Sequence, residues 1–166
     1  MKINYRLADV KDIDEITDII SLAVKEMEKD NIYQWDEVYP TRTDFLDDIE
    51  KKYLYVGLID EKISVVYAIN MEYDVQYKNG SWEYPNSDFR IIHRLCVNPL
   101  YQNQGIAKET LNYIESELKE NSVESIRLDV FFDNPYALSL YRKNGYKEVG
   151  VANWRKGNFY LMEKHL

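Results

Sequence analysis

The sequence predicts a mixed α/β fold: a single domain with a central sheet of about six to seven strands flanked by helices. Its first half places strands in hairpin order. Its second half alternates strand, helix, strand, helix and strand, which indicates a sheet with a parallel central part. No linker or repeat interrupts the 166 residues, and 45% hydrophobic side chains are enough for a core. We expect one domain over residues 1–166, with a ligand crevice at the carboxyl ends of the strands.

Seven segments have the residue pattern of strands. They are residues 3–7, 54–59, 63–69, 91–97, 125–131, 146–151 and 159–163. A long helix can be capped by Asp9 and Asp12, and a shorter one can begin at Thr41 or Thr43. The apolar positions of the long helix are Ile13, Ile16, Ile20, Leu22 or Ala23, and Met27. Two further helices are predicted over 104–120 and 135–143, and residues 71–90 are irregular around an Asn-Gly turn signal.

The formal charge of −8 is concentrated in the first half of the chain. Residues 1–90 hold 11 basic against 20 acidic side chains, whereas residues 91–166 hold 10 against 9. An acidic surface disfavours nucleic acid and anionic lipid as partners, and it would concentrate a cationic small molecule or peptide. The alternative is an acidic face that only maintains solubility.

The single cysteine, Cys96, has no partner for an internal disulfide. No N-terminal apolar signal segment and no apolar run of about 18 residues is present. We therefore expect a soluble cytoplasmic protein that does not associate with a membrane.

Residues 102–107, with the sequence QNQGIA, have the composition of a phosphate-binding loop. Pro99 closes the preceding strand, and Gly105 with Ala107 keeps side chains small where the backbone turns into a helix. Unpaired N–H groups at such a helix start, together with the helix dipole, suit a pyrophosphate. Taken alone, the pattern also fits ordinary turn chemistry. A P-loop is disfavoured because Gly105 is not followed by Lys-Ser/Thr.

A second signature, NPYALSLYRKNGY, covers residues 134–146. Asn134 can cap the following helix, and Pro135 suits its first turn. Tyr141 lies seven residues after Asn134, two helical turns on, so both side chains can face one cleft. With 15 tyrosines in the chain, only its position relative to the phosphate loop distinguishes Tyr141.

The order of these signatures resembles the GNAT family of N-acetyltransferases, whose Gln/Arg-x-x-Gly-x-Gly/Ala loop matches residues 102–107. The segments YRLADVKD at 5–12 and RLCVNP at 94–99 are similar to the family's first and fourth strands. The resemblance covers essentially the whole chain. It implies an acetyl-CoA-dependent N-acetyltransferase, with acetyl-CoA as cosubstrate, an amine acceptor and no metal.

The resemblance also implies where acetyl-CoA binds. It would lie between the strand ending near Val97 and the one starting near Ile126, with Asn134 contacting the pantetheine arm. The pantetheine would run along Leu95, Cys96 and Val97. The loop around the pyrophosphate would comprise Gln102, Asn103, Gln104, Gly105, Ile106, Ala107 and Lys108. This loop departs from the family pattern because residues 103 and 104 are neutral where many members have Arg or Lys, which leaves Lys108 as the nearest cation.

By the same resemblance, Tyr141 would be the general acid for the departing thiolate. His93 is the preferred base, because period-2 alternation places it with residues 91, 95 and 97 and an ordinary imidazole pKa of ~6.5 suits proton removal. Its alternative role is that of a packing histidine. The same alternation puts Cys96 on the opposite face, as a small packing residue.

Asp129 is the rival base. Asp129 lies five residues before Asn134. By the resemblance, this is the position at which bacterial ribosomal-protein alanine acetyltransferases carry a catalytic Glu. Asp129 could instead pair with Arg94 or Arg127 as a structural carboxylate.

The acceptor site is less constrained by motif. Trp35, Tyr39 and Trp82 are candidates for its wall, and aromatic rings beside Asp36 and Glu37 could hold an ammonium or guanidinium group. Each ring could equally be a core anchor. A small amine, an amino acid, an aminoglycoside or a peptide N-terminus all fit as acceptor.

Two further hypotheses follow from the sequence. The chain could be a noncatalytic CoA-binding sensor or interaction module with the same fold, in which case substitution of Tyr141 or His93 would leave its activity unchanged. Exposed strand edges in residues 71–90 or in the last strand could also pair two copies into a homodimer.

Overall fold

The computed structural model describes residues 1–166 and confirms a mixed α/β fold. Its strands are β1 (Asn4–Leu7), β2 (Leu54–Ile59), β3 (Lys62–Asn70), β4 (Phe89–Val97), β5 (Ser125–Phe131), β6 (Lys147–Trp154) and β7 (Gly157–His165). Its helices are α1 (Ile13–Lys29), α2 (Arg42–Glu50), α3 (Ile106–Glu120) and α4 (Pro135–Lys143). The seven strands form one sheet in the order β1-β2-β3-β4-β5-β7-β6.

The parallel part of the sheet lies at its centre, as the sequence predicts. β4 and β5 are parallel, with Phe89 opposite Ser125. β7 runs antiparallel to both β5 and β6. A tight turn at Gly157, which has a φ of 134°, folds β7 back onto β6. The last strand therefore lies inside the sheet, and β6 is at its edge.

Packing is densest within two units, residues 1–69 with 94–110 and residues 70–93 with 111–166. The core of the first unit joins the apolar faces of α1 and α2 to β2 and β3. Ala23 is buried in it, whereas Leu22 is exposed, which decides between the two predicted positions. The single-domain organisation stays a prediction.

Side-chain caps begin the elements of the first unit. Thr41 caps α2 in a reciprocal capping box with Asp44. Asp9 caps a short 3₁₀ turn ahead of α1, and Asp12 accepts the Asp9 N–H at 2.7 Å. The Arg6 guanidinium grips both oxygens of Asp12, at 2.7 and 2.9 Å, and thereby ties β1 to the start of α1.

Residues 71–90 differ from the expectation for a strand edge. They contain a 3₁₀ turn, Val75–Asn79, and no strand before Phe89. Within the second unit this segment lies along β6, where the Ser81 N–H donates to Val149 O at 2.7 Å. A Cβ on Gly150 would stand only 2.8 Å from Asn79 O, so the close approach requires glycine there.

The two strand edges predicted for dimer pairing are thus not available. β7 is interior, and the irregular segment covers part of β6. A homodimer stays a prediction without a surface assigned to it. None of the four helices combines the length and the apolar composition that a membrane-spanning helix requires.

We expect Asp12→Asn to weaken the fold in a pH-dependent way. The hydrogen bond from Arg6 lowers the pKa of Asp12 below its usual 3.8, so the stabilisation is present above that pH and is lost as pH falls through the folded-state pKa. The substitution should cost about 1 kcal/mol at pH 7. Its cost should shrink towards pH 3 in urea denaturation.

The matched control is Asp14→Asn, whose ion pair with Arg42 is exposed and should contribute about 0.5 kcal/mol or less. An equal loss from Asp12→Asn at both pH values would contradict the assignment.

Candidate functional site

The predicted phosphate loop belongs to the first unit and is anchored by Asn98. This buried side chain donates from Nδ2 to Ile63 O at 2.9 Å and accepts the Leu100 N–H at 3.0 Å. Its backbone N–H donates to Ser64 O at 2.8 Å. Asn98 therefore holds the end of β4 against β3, where the 3₁₀ turn Pro99–Tyr101 begins.

The loop turns into α3 through two left-handed residues, Asn103 with φ of 61° and Gly105 with φ of 80°. The Glu109 N–H donates to Gly105 O at 3.0 Å, so the N–H groups of residues 106–108, in the first turn of α3, precede the first intrahelical hydrogen bond. A Cβ added at Gly105 would find no atom within 4 Å. The backbone at Gly105 thus faces open space beside a helix start, an arrangement that can accept a phosphate group.

The side chains around this loop differ in their exposure to solvent. Residues 102–105 and Lys108 are exposed, whereas Ile106 is buried and pins the helix start. Thr110, also buried, shares a 3.0 Å hydrogen bond with the Tyr5 hydroxyl of β1. The loop is therefore open to solvent, while the start of α3 that follows it is held in place by buried side chains.

A backbone irregularity in β4 changes the predicted strand faces. Arg94 has φ of 52°, a left-handed conformation that interrupts the alternation of a strand. The argument that His93 shares a face with Leu95 and Val97 does not extend across this residue. Cys96 is buried in the core of the first unit, and burial raises the pKa of its thiol to about 12, so it is a packing residue as predicted.

Arg94 is held by a buried network. Its Nε donates to Asp48 Oδ2 of α2 at 3.0 Å, its Nη2 donates to the same oxygen, and its Nη1 donates to the Tyr39 hydroxyl at 2.9 Å. Both members of the ion pair are largely buried. Burial raises the pKa of the Asp48 carboxyl, and the Arg94 charge opposes that shift. The network connects the irregular point of β4 to the loop that carries Tyr39.

The predicted acceptor residues lie in different surroundings. Trp35 is part of the core of the first unit, whereas the Tyr39 side chain is partly exposed. The Asp36 carboxylate accepts the N–H groups of Val38 and Tyr39, at 3.0 and 3.2 Å, and so shapes the turn. Trp82 belongs to the second unit, where it stacks on a tyrosine. Their contact with an acceptor stays a prediction.

In the second unit, the hydrogen bonds of His93 define its proton position. Asn70 Oδ1 accepts the Glu72 backbone N–H at 2.9 Å, which fixes that atom as the oxygen of the amide. His93 Nε2 lies 2.8 Å from the same oxygen and must therefore donate to it. In the neutral ring the lone pair is then on Nδ1, the only ring atom through which His93 could act as a base.

Asp129 of β5 accepts a 2.6 Å hydrogen bond from the hydroxyl of Tyr77. The two arginines considered as its structural partners pair elsewhere: Arg94 with Asp48, and Arg127 with Glu163 at 3.7 Å. Neither of these predicted pairings of Asp129 is found.

Helix α4 carries Asn134 and Tyr141. The Asn134 side chain accepts the Ala137 N–H at 3.1 Å, which confirms it as the helix cap. Tyr141 is buried edge-on against Tyr146, whose hydroxyl donates to Glu115 at 3.1 Å. Burial, and secondarily the charge of Asp129, raises the pKa of the Tyr141 phenol, so it is protonated at neutral pH.

Sequence reasoning missed Tyr77, Asn70 and the network of Arg94. Tyr77 is one of 15 tyrosines in an irregular segment, and no periodicity distinguishes it. Asn70 ends a strand, and nothing in the sequence indicates its contact with His93. The left-handed residue in β4 lies inside a run of strand-forming residues, where only the fold reveals it.

Comparison with known proteins identifies relatives of the chain. The acetyltransferase (GNAT) family model matches residues 16–146. A curated relative, the ribosomal protein bS18-alanine N-acetyltransferase of Escherichia coli strain K12, is 29% identical over 73 residues, which are 44% of this chain and 47% of the relative. The match thus spans about half the length of that relative.

Two solved structures have the same fold. A GNAT family acetyltransferase from Streptococcus agalactiae superposes with a TM-score of 0.85 at 24% identity, covering 99% of this chain and 95% of the other. The PaiA N-acetyltransferase of Thermoplasma acidophilum, in complex with coenzyme A, gives 0.73 at 18% identity over 100% of both chains.

The chain belongs to the acetyltransferase (GNAT) family. The resemblance and the fold class inferred from the sequence are therefore confirmed. The prediction of an acyltransferase is confirmed at the level of the family.

We expect Arg94→Met to destabilise the protein by about 3–5 kcal/mol, because it leaves the Asp48 carboxylate buried without its charge partner. Combining it with Asp48→Leu should restore a large part of the loss, since a pair of apolar residues leaves no buried charge. Urea denaturation measures both variants.

Arg90→Met is the matched control, because Arg90 pairs with the half-exposed Asp88 and its loss should cost about 1 kcal/mol or less. A double variant as unstable as Arg94→Met alone would contradict the role of the buried pair.

Proposed function

We propose that the protein is an N-acetyltransferase that moves the acetyl group of acetyl-CoA directly to a primary amine. The observation that carries the proposal is the left-handed turn at Gly105 that opens the start of α3 to solvent. Family membership and the coenzyme A complex of a protein with the same fold support it. We propose a cytoplasmic location, because the curated relative acts on a ribosomal protein.

The backbone of the loop would bind the pyrophosphate. The N–H groups of residues 103–108 are neutral dipoles, and Lys108 is the cation nearest to them along the chain. The backbone of Leu95 to Val97 and the side chain of Asn134 would hold the pantetheine arm. Bound acetyl-CoA supplies an activated thioester carbonyl.

Proton transfer is assigned to residues of the second unit. The Tyr141 phenol, kept protonated by its raised pKa, would donate its proton to the departing thiolate. A base must take a proton from the acceptor ammonium, either His93 through Nδ1 or the Asp129 carboxylate. Both candidates are held by hydrogen bonds to neighbours of their own unit.

Direct transfer is favoured over an acetyl-cysteine intermediate. The Cys96 thiol is buried, and its pKa of about 12 leaves almost no thiolate at neutral pH. Holding amine and thioester together can remove on the order of 7–11 kcal/mol from the barrier without a covalent step.

The acceptor is proposed to be a cationic amine in solution, drawn by the acidic first half of the chain. The curated relative is an alanine N-acetyltransferase of a ribosomal protein, which makes a peptide N-terminus the first candidate. Small amines, amino acids and aminoglycosides are the other candidates.

Calorimetric titration with acetyl-CoA tests the cofactor half of this proposal, with ATP as control ligand. Wild-type protein should bind acetyl-CoA selectively, and Gly105→Val should weaken that binding at least 10-fold by placing a branched side chain in the open space of the loop. Gly157→Val controls for strain at a positive-φ glycine, because it lies in the hairpin before β7. Undiminished affinity in Gly105→Val would mean that the phosphate does not bind there.

Release of free thiol from acetyl-CoA, measured with an alanine-terminated peptide, a polyamine and an aminoglycoside, tests the chemistry. Tyr141→Phe should lower turnover roughly 100-fold or more, while acetyl-CoA affinity stays within about twofold. The control is Tyr136→Phe, an exposed tyrosine on the same helix. Unchanged turnover in Tyr141→Phe would remove this residue from the mechanism.

Acetyl-CoA binding without release of thiol by any amine would favour the noncatalytic sensor or interaction module. Failure to bind acetyl-CoA at all would overturn both functions.

A further inference from the structure

Ring and hydrogen-bond contacts hold the irregular segment 71–90 in place, since it forms no strand before Phe89. The Trp82 indole N–H donates to Tyr77 O at 2.9 Å, and the two rings stack with centroids 5.6 Å apart. Tyr73 also stacks on Tyr77, with ring centroids 5.8 Å apart. The Tyr77 ring packs against these rings and into the core of the second unit, and it is only 3% exposed.

A buried arginine attaches the segment to the sheet of the second unit. The guanidinium of Arg127 on β5 lies between the rings of Trp82 and Phe89, 4.4 and 3.9 Å from their centroids. Its Nη2 donates to Tyr84 O at 3.2 Å. Glu163 of β7, the ion-pair partner of Arg127, accepts the Glu83 N–H at 2.7 Å.

These contacts place the Tyr77 hydroxyl next to Asp129 of the candidate site. Arg127 and Asp129 are two residues apart on β5 and so lie on the same face of the sheet. The contacts of Arg127 with the rings of Trp82 and Phe89, called the aromatic clasp below, hold the segment on that face. The Tyr77 hydroxyl then donates to Asp129 Oδ2 at 2.6 Å. Such a hydrogen bond to a carboxylate is short and charge-assisted.

We propose that Tyr77 is a positioning residue for the acetyl-transfer reaction, holding the Asp129 carboxylate in one orientation and in its charged form beside Tyr141. Residues 71–90 serve as the frame that places its hydroxyl. This inference rests on the proposed function, and it assigns a task to a segment that the fold otherwise leaves without one.

The surroundings of Asp129 explain why its orientation matters. The Tyr77 hydroxyl and the Tyr141 phenol of α4 both interact with Asp129. Arg127 is two residues away on the same face of the sheet. The negative charge of Asp129 also contributes, after burial, to the raised pKa of Tyr141. A carboxylate that rotated away or became protonated could not accept a proton from an ammonium group.

The central experiment compares Tyr77→Phe with Tyr73→Phe. Each removes one hydroxyl and keeps its ring, and Tyr73 is the half-exposed neighbour in the same aromatic stack. Tyr77→Phe should lower kcat about 10- to 100-fold, the effect of losing a hydrogen bond to a charged group, without changing acetyl-CoA affinity. The acid limb of its pH profile should move to higher pH, because the charged carboxylate loses a donor. Tyr73→Phe should match the wild type.

A double-mutant cycle separates positioning from mere structural support. In the Asp129→Asn background, adding Tyr77→Phe should lower kcat no further, because the carboxylate it acts on is gone. An additional drop of the same size as in the wild type would overturn the proposal. So would an unchanged kcat and pH profile in Tyr77→Phe, or an equal loss in Tyr73→Phe.

A readout that needs no turnover distinguishes failure of this inference from failure of the proposed function. In protein labelled with ¹³C at aspartate carboxyl carbons, the Asp129 resonance should titrate at higher pH in Tyr77→Phe than in wild type. It should be unchanged in Tyr73→Phe. A shift in protein that shows no acetyl transfer would support the hydrogen bond between Tyr77 and Asp129 but contradict the proposed function. The absence of a shift would overturn the role of Tyr77.

Discussion

The buried ion pair between Arg94 and Asp48 is the constraint on which the first unit depends. A left-handed residue inside a strand is unfavourable by about 1–2 kcal/mol, and the side chain of Arg94 compensates by joining α2 and the Tyr39 loop at that point. The strand direction beyond it sets the course of Leu95 to Val97. Asn98 and the phosphate loop follow directly, so their placement depends on this pair.

The second unit holds the polar side chains proposed for proton transfer, and these are partly buried. Each candidate is fixed by a neighbour: His93 by Asn70, Asp129 by Tyr77, and the Tyr141 ring by Tyr146. These contacts decide which ring nitrogen carries a proton and where a carboxylate points. In the proposed reaction, these neighbours would set the reactivity of the three groups without touching a substrate.

Local sequence signals predicted the elements whose structure depends on local chemistry. The bounds of β2, β5 and α4 agree with their hydrophobic pattern, and Asn134 and Thr41 cap the helices that follow them. The turn at Gly105 could also be predicted, because a glycine just before a helix indicates a backbone conformation that other residues disfavour. Motifs at defined positions thus predicted the fold class and the family.

What the sequence did not predict depends on distant partners. The conformation of Arg94 follows from Asp48 and Tyr39, which are 46 and 55 residues away, and no pattern within β4 announces it. The course of residues 71–90 likewise depends on Arg127 and Glu163, since the segment has no periodicity of its own. The interior place of β7 results from a hairpin that the strand count alone does not order.

The aromatic clasp around Arg127 has a consequence for how this protein can vary. Its attachment points are inward-facing rings and backbone atoms, whereas Met71, Tyr73 and Val75 at the start of the segment are each at least half exposed. Substitutions at these outer positions would remodel the surface while the buried framework stays in place. The segment therefore combines an exposed outer surface, where substitutions meet few packing constraints, with a buried attachment to β5.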